Sequence, residues 1–334
     1  MKKTTGIPDR AAQIYGDALV WDNHTCMPHD SKNTFMPELE RYRASGVDVA
    51  IINIGDSQVD LDTQMRTAAA YRHWIKAHDA HFMLIETADD ILSAKRDGKL
   101  AIAFNVEGAY AMGDDIALLS LYYQIGVRWM LMAYNKANKV GGGCHDEEDK
   151  GLTPYGHQVI AEMDRVGIIK CCSHTGYRTA MDVLEASTLP VIFSHSNPRA
   201  LKDHPRNIPD ELMLACARTG GVQCINGVGI FLGDNDISTE TFVRHIDYAV
   251  QLIGPEHVGF GIDYCFDKAG MEEMLNRAQG VWPAGFGYNP GMKIMEIEQI
   301  PEIAEYLLRL GYSEGDIRAI LGENLLRVAR EVWR

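Results

Sequence analysis

Short apolar runs alternate along the chain with longer segments in which apolar positions recur three and four residues apart. The runs fall at 18–22, 47–53, 100–105, 129–133, 168–172, 191–193, 222–226 and 258–262, each ending on or beside a polar residue. Runs of this length with polar punctuation read as buried strands. The segments between them, at 37–45, 60–78, 116–125, 154–166, 179–187, 209–219 and 239–253, carry the stripe of an amphipathic helix that covers a sheet. Gly46, Gly126, Gly167 and Gly220 stand between a helical segment and the next run, where a left-handed residue closes a helix. Regular alternation predicts a parallel sheet, and eight units predict closure into a (β/α)8 TIM barrel.

No linker or low-complexity tract divides the sequence, so residues 1–334 are expected as one barrel domain. The stretch 270–292, rich in Gly, Trp, Phe and Tyr, is expected as a long loop forming a lid over the barrel mouth. The stretch 300–334 is expected as extra C-terminal helices outside the barrel, two of them, broken at 311–313.

Composition narrows the partners. A chain with 46% hydrophobic and 23% charged residues has material for a well-buried core. Its net charge of -14 repels polyanions, which argues against nucleic acid or an anionic membrane as partner and favours a small-molecule substrate. No apolar stretch follows Lys2 and Lys3, and none approaches the ~20 residues that span a bilayer, so a soluble, cytoplasmic protein is expected. The seven cysteines are an odd number without a regular framework. Apart from Cys26 they read as small buried hydrophobes in a reducing compartment.

Functional groups of a (β/α)8 barrel sit where its strands end, so the residues just past each run decide the chemistry. The first run leads into Asp22-Asn23-His24-Thr25-Cys26, the third into Asn105-Val106-Glu107, the fifth into Ser173-His174, the sixth into Ser194-His195, and the last into Asp263. Histidine nitrogens and carboxylate oxygens are ligands of a borderline divalent ion such as Zn2+, and together His24, Glu107, His174 and His195 predict a metal site at one mouth. A carboxylate shared by two ions would make that site binuclear.

These residues are where the chain resembles the membrane (renal) dipeptidase family, the M19 metallopeptidase branch of the amidohydrolase superfamily of metal-dependent hydrolases. The resemblance extends through Gly126-Val127-Arg128, Ser194-His195-Ser196-Asn197, Arg206-Asn207-Ile208-Pro209-Asp210, Gly261-Ile262-Asp263 and Gly322-Glu323-Asn324. It implies that Glu107 bridges two Zn2+ ions, that His174 and His195 hold one and that His24 helps hold the other. It makes Asp263 the general base and Arg206 the grip on the substrate's terminal carboxylate, to which a planar guanidinium fork is suited. It also leaves a homodimer open.

Two departures bear on the substrate. The family's His-x-Asp is His24-Thr25-Cys26 here, so either Cys26 is a thiolate ligand or the first of the two ions is lost. After the fourth run the family's His-Asn is Tyr134-Asn135, expected at the substrate, with the phenol donating to a developing oxyanion but bringing no charge. Asp22, two residues from His24, is a candidate to orient it. The segment 141–149 reads as a flexible acidic loop. The resemblance implies cleavage of an amide or peptide bond of a dipeptide or related small amide by bound hydroxide. The departures leave two alternatives: a diverged amidohydrolase acting on a non-dipeptide amide or N-substituted amino-acid derivative, or a non-catalytic metal-binding relative.

Overall fold

The computed structural model describes residues 8–29 and 31–334. Its strands are β1 (Trp21–Cys26), β2 (Val49–Asp56), β3 (Phe82–Leu84), β4 (Leu100–Glu107), β5 (Val127–Leu131), β6 (Ile169–Cys171), β7 (Val191–Phe193), β8 (Val222–Ile225), β9 (Val258–Phe260) and β10 (Tyr264–Cys265). All pairings between them are parallel, in the order β10-β1-β2-β4-β5-β6-β7-β8-β9, with β3 set on the side of β4. The last run closes the circle: β9 pairs with β8, and after three residues its continuation β10 pairs with β1. The result is the eight-position barrel, with helices on its outside. One apolar core reaches from Ile14 to Trp333.

Closure depends on Gly261, in the short link between β9 and β10. A Cβ there would stand 2.4 Å from the Ser194 carbonyl and 3.1 Å from the His24 amide. Only glycine lets these backbones meet directly beside His24 and His195.

Three expectations shift. β1 starts at Trp21 instead of Ala18, so His24 and Cys26 lie within a strand and share one of its faces. The stretch 18–20 underlies the barrel instead, with the Val20 amide donating to Asp48 Oδ2 at 2.9 Å. An additional β/α pair, β3 and the helix Ala88–Arg96, sits between the second and third runs. The C-terminal region forms three helices, Ile300–Arg309, Glu314–Arg318 and Asn324–Val332. The wide turn between the last two brings Gly322 under Leu19, whose carbonyl would lie 2.6 Å from an added Cβ.

The segment over the barrel mouth is also more ordered than a loop. It opens with the helix Lys268–Arg277, capped by Asp267 accepting from the Gly270 amide at 2.9 Å. It then returns to the barrel through an antiparallel bridge between Val228 and Ile294.

Candidate metal centre

Five strand ends converge on Glu107. Its Oε1 lies 3.4 Å from His24 Nε2, 3.6 Å from His174 Nε2 and 3.3 Å from His195 Nε2. His174 and His195 face each other through their Nε2 atoms at 2.9 Å. Asp263 Oδ1 stands 3.3 Å from His24 Nε2 and accepts from Cys26 Sγ at 3.1 Å. Three overlapping ligand groups result: His24, Cys26 and Glu107; His24, His195 and Asp263; Glu107, His174 and His195.

Each ligand is oriented from behind. Asn53 Nδ2 donates to Glu107 Oε2 at 2.8 Å, leaving Oε1 buried with no hydrogen-bond partner among the described residues. His174 Nδ1 donates to Asn135 Oδ1 at 2.7 Å, and His195 Nδ1 meets the Ser194 hydroxyl at 2.7 Å. The carboxamide of Asn105 is 3.2 Å from His24 Nδ1. Asn226 Nδ2 donates to Asp263 Oδ2 at 2.9 Å. These contacts turn the Nε2 atoms and one oxygen of each acid toward a common point, as the outer partners of metal ligands do.

The backbone is constrained as well. His174, Asp263 and Asn135 have φ of 62°, 60° and 56°, a region that costs a non-glycine residue roughly 1–3 kcal/mol. Such conformations cluster where side chains must be aimed.

Electrostatics ask for a cation here. Burial, with Asp263 and Asp56 nearby, pushes the Glu107 carboxyl up to about 8. Burial holds His174 and His195 well below the usual imidazole value, with Arg206 and His24 adding to it, so both are neutral and can offer lone pairs. Burial opposes charge on His24, but Glu107 and Asp263 outweigh it and raise its value. Burial also disfavours the charge of Asp263, yet contact with His24 holds its carboxyl below the ordinary range. A buried, unpartnered carboxylate oxygen ringed by three imidazole nitrogens fits a divalent ion.

Arg206 is 2% exposed, and its guanidinium donates to the His195 carbonyl at 3.0 Å. It packs over Phe231 at 5.3 Å, and its Nε has no hydrogen-bond partner among the described residues. No carboxylate of the described residues pairs with it. Tyr134 stacks on the His174 ring at 4.1 Å, and its hydroxyl accepts from Trp282 Nε1 at 3.3 Å, which leaves the phenolic hydrogen to give. Asn135, expected at the substrate, is fully buried and instead binds His174 and the Val281 carbonyl. Asp22 holds the Ile262 amide at 2.9 Å and the Tyr42 hydroxyl at 2.8 Å, so it ties β1 to the closing strand and does not reach the His24 ring. The acidic loop is tied down: Asp149 accepts from the amide and hydroxyl of Thr179 at 2.8 and 2.6 Å, and His145 meets Tyr288 OH at 3.0 Å.

Sequence reading overlooked Asn53, Asn105 and Asn226 as partners of the ligands. Their signal was present, since each is the polar residue that ends an apolar run. It also overlooked Asp56, which lines the cavity beside the centre, is 7% exposed and, among the described residues, has its carboxylate bonded to the Gln58 amide alone, at 2.7 Å.

A closed parallel barrel with histidines and carboxylates gathered at the C-terminal ends of its strands is the architecture of the amidohydrolase class, in which such a cluster can hold a metal. Within that class the chain belongs to the membrane dipeptidase family (peptidase family M19), whose model matches residues 17–334. It is 30% identical over 288 residues to an uncharacterized dipeptidase of Schizosaccharomyces pombe, covering 82% of this chain and 62% of that protein. It is 30% identical over 250 residues to the dipeptidase tcpJ of Claviceps purpurea, covering 73% of this chain and 54% of the relative. The chain thus spans less than two thirds of the length of both curated relatives. An amidohydrolase from Pseudomonas aeruginosa has the same fold with a TM-score of 0.84 at 28% identity, covering 97% of this chain and 99% of that one.

Proposed function

We propose that the chain is a zinc-dependent dipeptidase, hydrolysing the amide bond of a small substrate that carries a free carboxylate. The observation that carries this reading is Glu107 Oε1, buried without a hydrogen-bond partner among the described residues and 3.3–3.6 Å from three histidine nitrogens. Glu107, His174 and His195 would hold one ion, and Glu107, His24 and Cys26 a second. A donor set of imidazole, carboxylate and thiolate favours Zn2+ over harder ions. When bound, the metal activates water near neutral pH and polarises the scissile carbonyl.

The remaining work falls to side chains. Asp263, fixed by Asn226 and kept ionised, takes a proton from water and delivers it to the leaving amine. Arg206, a buried cation without a counter-ion among the described residues, takes the substrate carboxylate. Tyr134 donates its phenolic hydrogen to the developing oxyanion. Asp56 takes a free ammonium, which favours a dipeptide over an N-substituted amide. The second reading, a diverged amidohydrolase for N-substituted amino acids, rests on Tyr134 and Cys26 standing where the family has histidine and aspartate.

The test is metal content per chain, without chelator, for the wild type and Cys26→Ala, beside turnover of a dipeptide panel. Two ions falling to one, with dipeptides cleaved by the wild type, is the expected result. Turnover of N-acyl amino acids with no dipeptide cleaved sinks the first reading in favour of the second.

A further inference from the structure

Beside Glu107, His174 and Asp263 opens a cavity of about 280 Å³. Its outer wall is apolar: Met27 from the end of β1, Met271, Met274 and Leu275 from the helix Lys268–Arg277, and Met292 and Ile294 from the returning strap. Met271 and Met274 are half-buried on the helix face turned toward the barrel. Side chains in a protein core interdigitate and leave few voids larger than a water molecule, so a space of this size continuous with the catalytic acids is not ordinary packing. Methionine is flexible and polarisable, and a wall of it adapts to different apolar shapes.

Arg206 is absent from this wall. It lines a second cavity, of about 570 Å³, and His174 borders both. A substrate that places its carboxylate at Arg206 on one side of His174 therefore places its other end against the methionines.

We infer that this cavity receives the side chain of the residue on the amino side of the scissile bond, and that the preferred residue there is large and apolar, such as Leu, Met or Phe. This rests on the dipeptidase reading only for the position of the scissile bond. Burying a leucine side chain in place of hydrogen gives at least a tenfold preference.

The experiment is calorimetric titration of the metal-loaded protein with two phosphinate dipeptide analogues. Both carry a carboxyl-side glycine, and they differ only in leucine or glycine at the amino side. The expected result is at least tenfold tighter binding of the leucyl analogue, with that ratio falling below threefold in Met271→Gln/Met274→Gln. These positions are half-buried, so the variant keeps the core intact. Equal binding of the two analogues by the wild type, or a ratio unchanged in the double variant, overturns the assignment. A leucyl preference in binding together with no cleavage of Leu-Gly leaves the pocket assignment standing and sinks the dipeptidase reading instead.

Discussion

At Asp56 the proposed function rests on a single carboxylate, which would select for substrates with a free ammonium. One of its oxygens takes the Gln58 amide, and no cation of the described residues pairs with it. Asp56→Asn removes the charge at constant shape, so KM for free-amine dipeptides should rise on the order of tenfold while that for N-acetyl analogues stays put. Equal loss on both substrates would make Asp56 merely structural. Arg206 is the complementary case, because its fork is already anchored on the His195 carbonyl. Arg206→Lys keeps the charge but cannot reproduce that fork, and kcat/KM for carboxylate-bearing substrates should fall by roughly 10–100-fold. Carboxamide substrates lacking the charge should respond far less. At this scale the gathering of His24, Glu107, His174, His195 and Asp263 at one mouth was legible because an apolar run that stops on a ligand-type side chain is unusual. The positive φ of His174 and Asp263 was not legible, since it arises only when the strands are clamped beside one another. Asn135 was misplaced for a related reason: its neighbour Tyr134 lines the cavity, and the turn sends Asn135 back into the protein.

At the scale of elements, the link between β9 and β10 joins the two ends of the sheet and carries Asp263 at the same time. Gly261→Ala would force the Ser194 carbonyl and the His24 amide apart, at a cost of about 1–3 kcal/mol. Thermal unfolding should show the loss, and metal content should fall with it because both neighbours lie beside ligands. A variant with unchanged Tm and full metal content would mean that the strands can part freely. The helix Ala88–Arg96 escaped sequence reading because its apolar stripe is short, yet its start was marked. Thr87 and Asp90 form a capping box, each side chain bonding the other's amide at 3.3 and 2.8 Å. β3 carries only three residues and pairs on one side, too brief for alternation to reveal. The split of the last helix at Gly322 is likewise tertiary in origin, set by the approach of Leu19.

Across the whole molecule, buried histidines set the response to acid. Burial pushes His145 down to about 3 and His204 and His245 down to about 4. His204 Nε2 donates to the Phe286 carbonyl at 2.8 Å, and His245 Nε2 to that of Leu232 at 2.9 Å; these bonds favour the charged ring, but burial outweighs them and keeps each neutral. In the unfolded chain these groups titrate near 6.5. Above that pH neither state binds the extra protons, and stability is flat with respect to them. Between about 6.5 and 4 the unfolded chain binds protons that the folded chain refuses, so stability falls as pH falls. Each group contributes up to about 1.4 kcal/mol per pH unit, and three together by pH 5 amount to several kcal/mol, a large part of a typical domain's stability. Tm should therefore drop steeply from pH 6.5 to 5 while changing little from 7 to 8, and a level profile down to pH 5 would refute the argument. His145 and His204 both hold the strap over the cavity, through Tyr288 and Phe286, whereas His245 sits against Leu232 away from it. Amide exchange in 281–288 should accordingly accelerate at a higher pH than global unfolding begins, because two of the three protons are taken up where the strap meets the barrel.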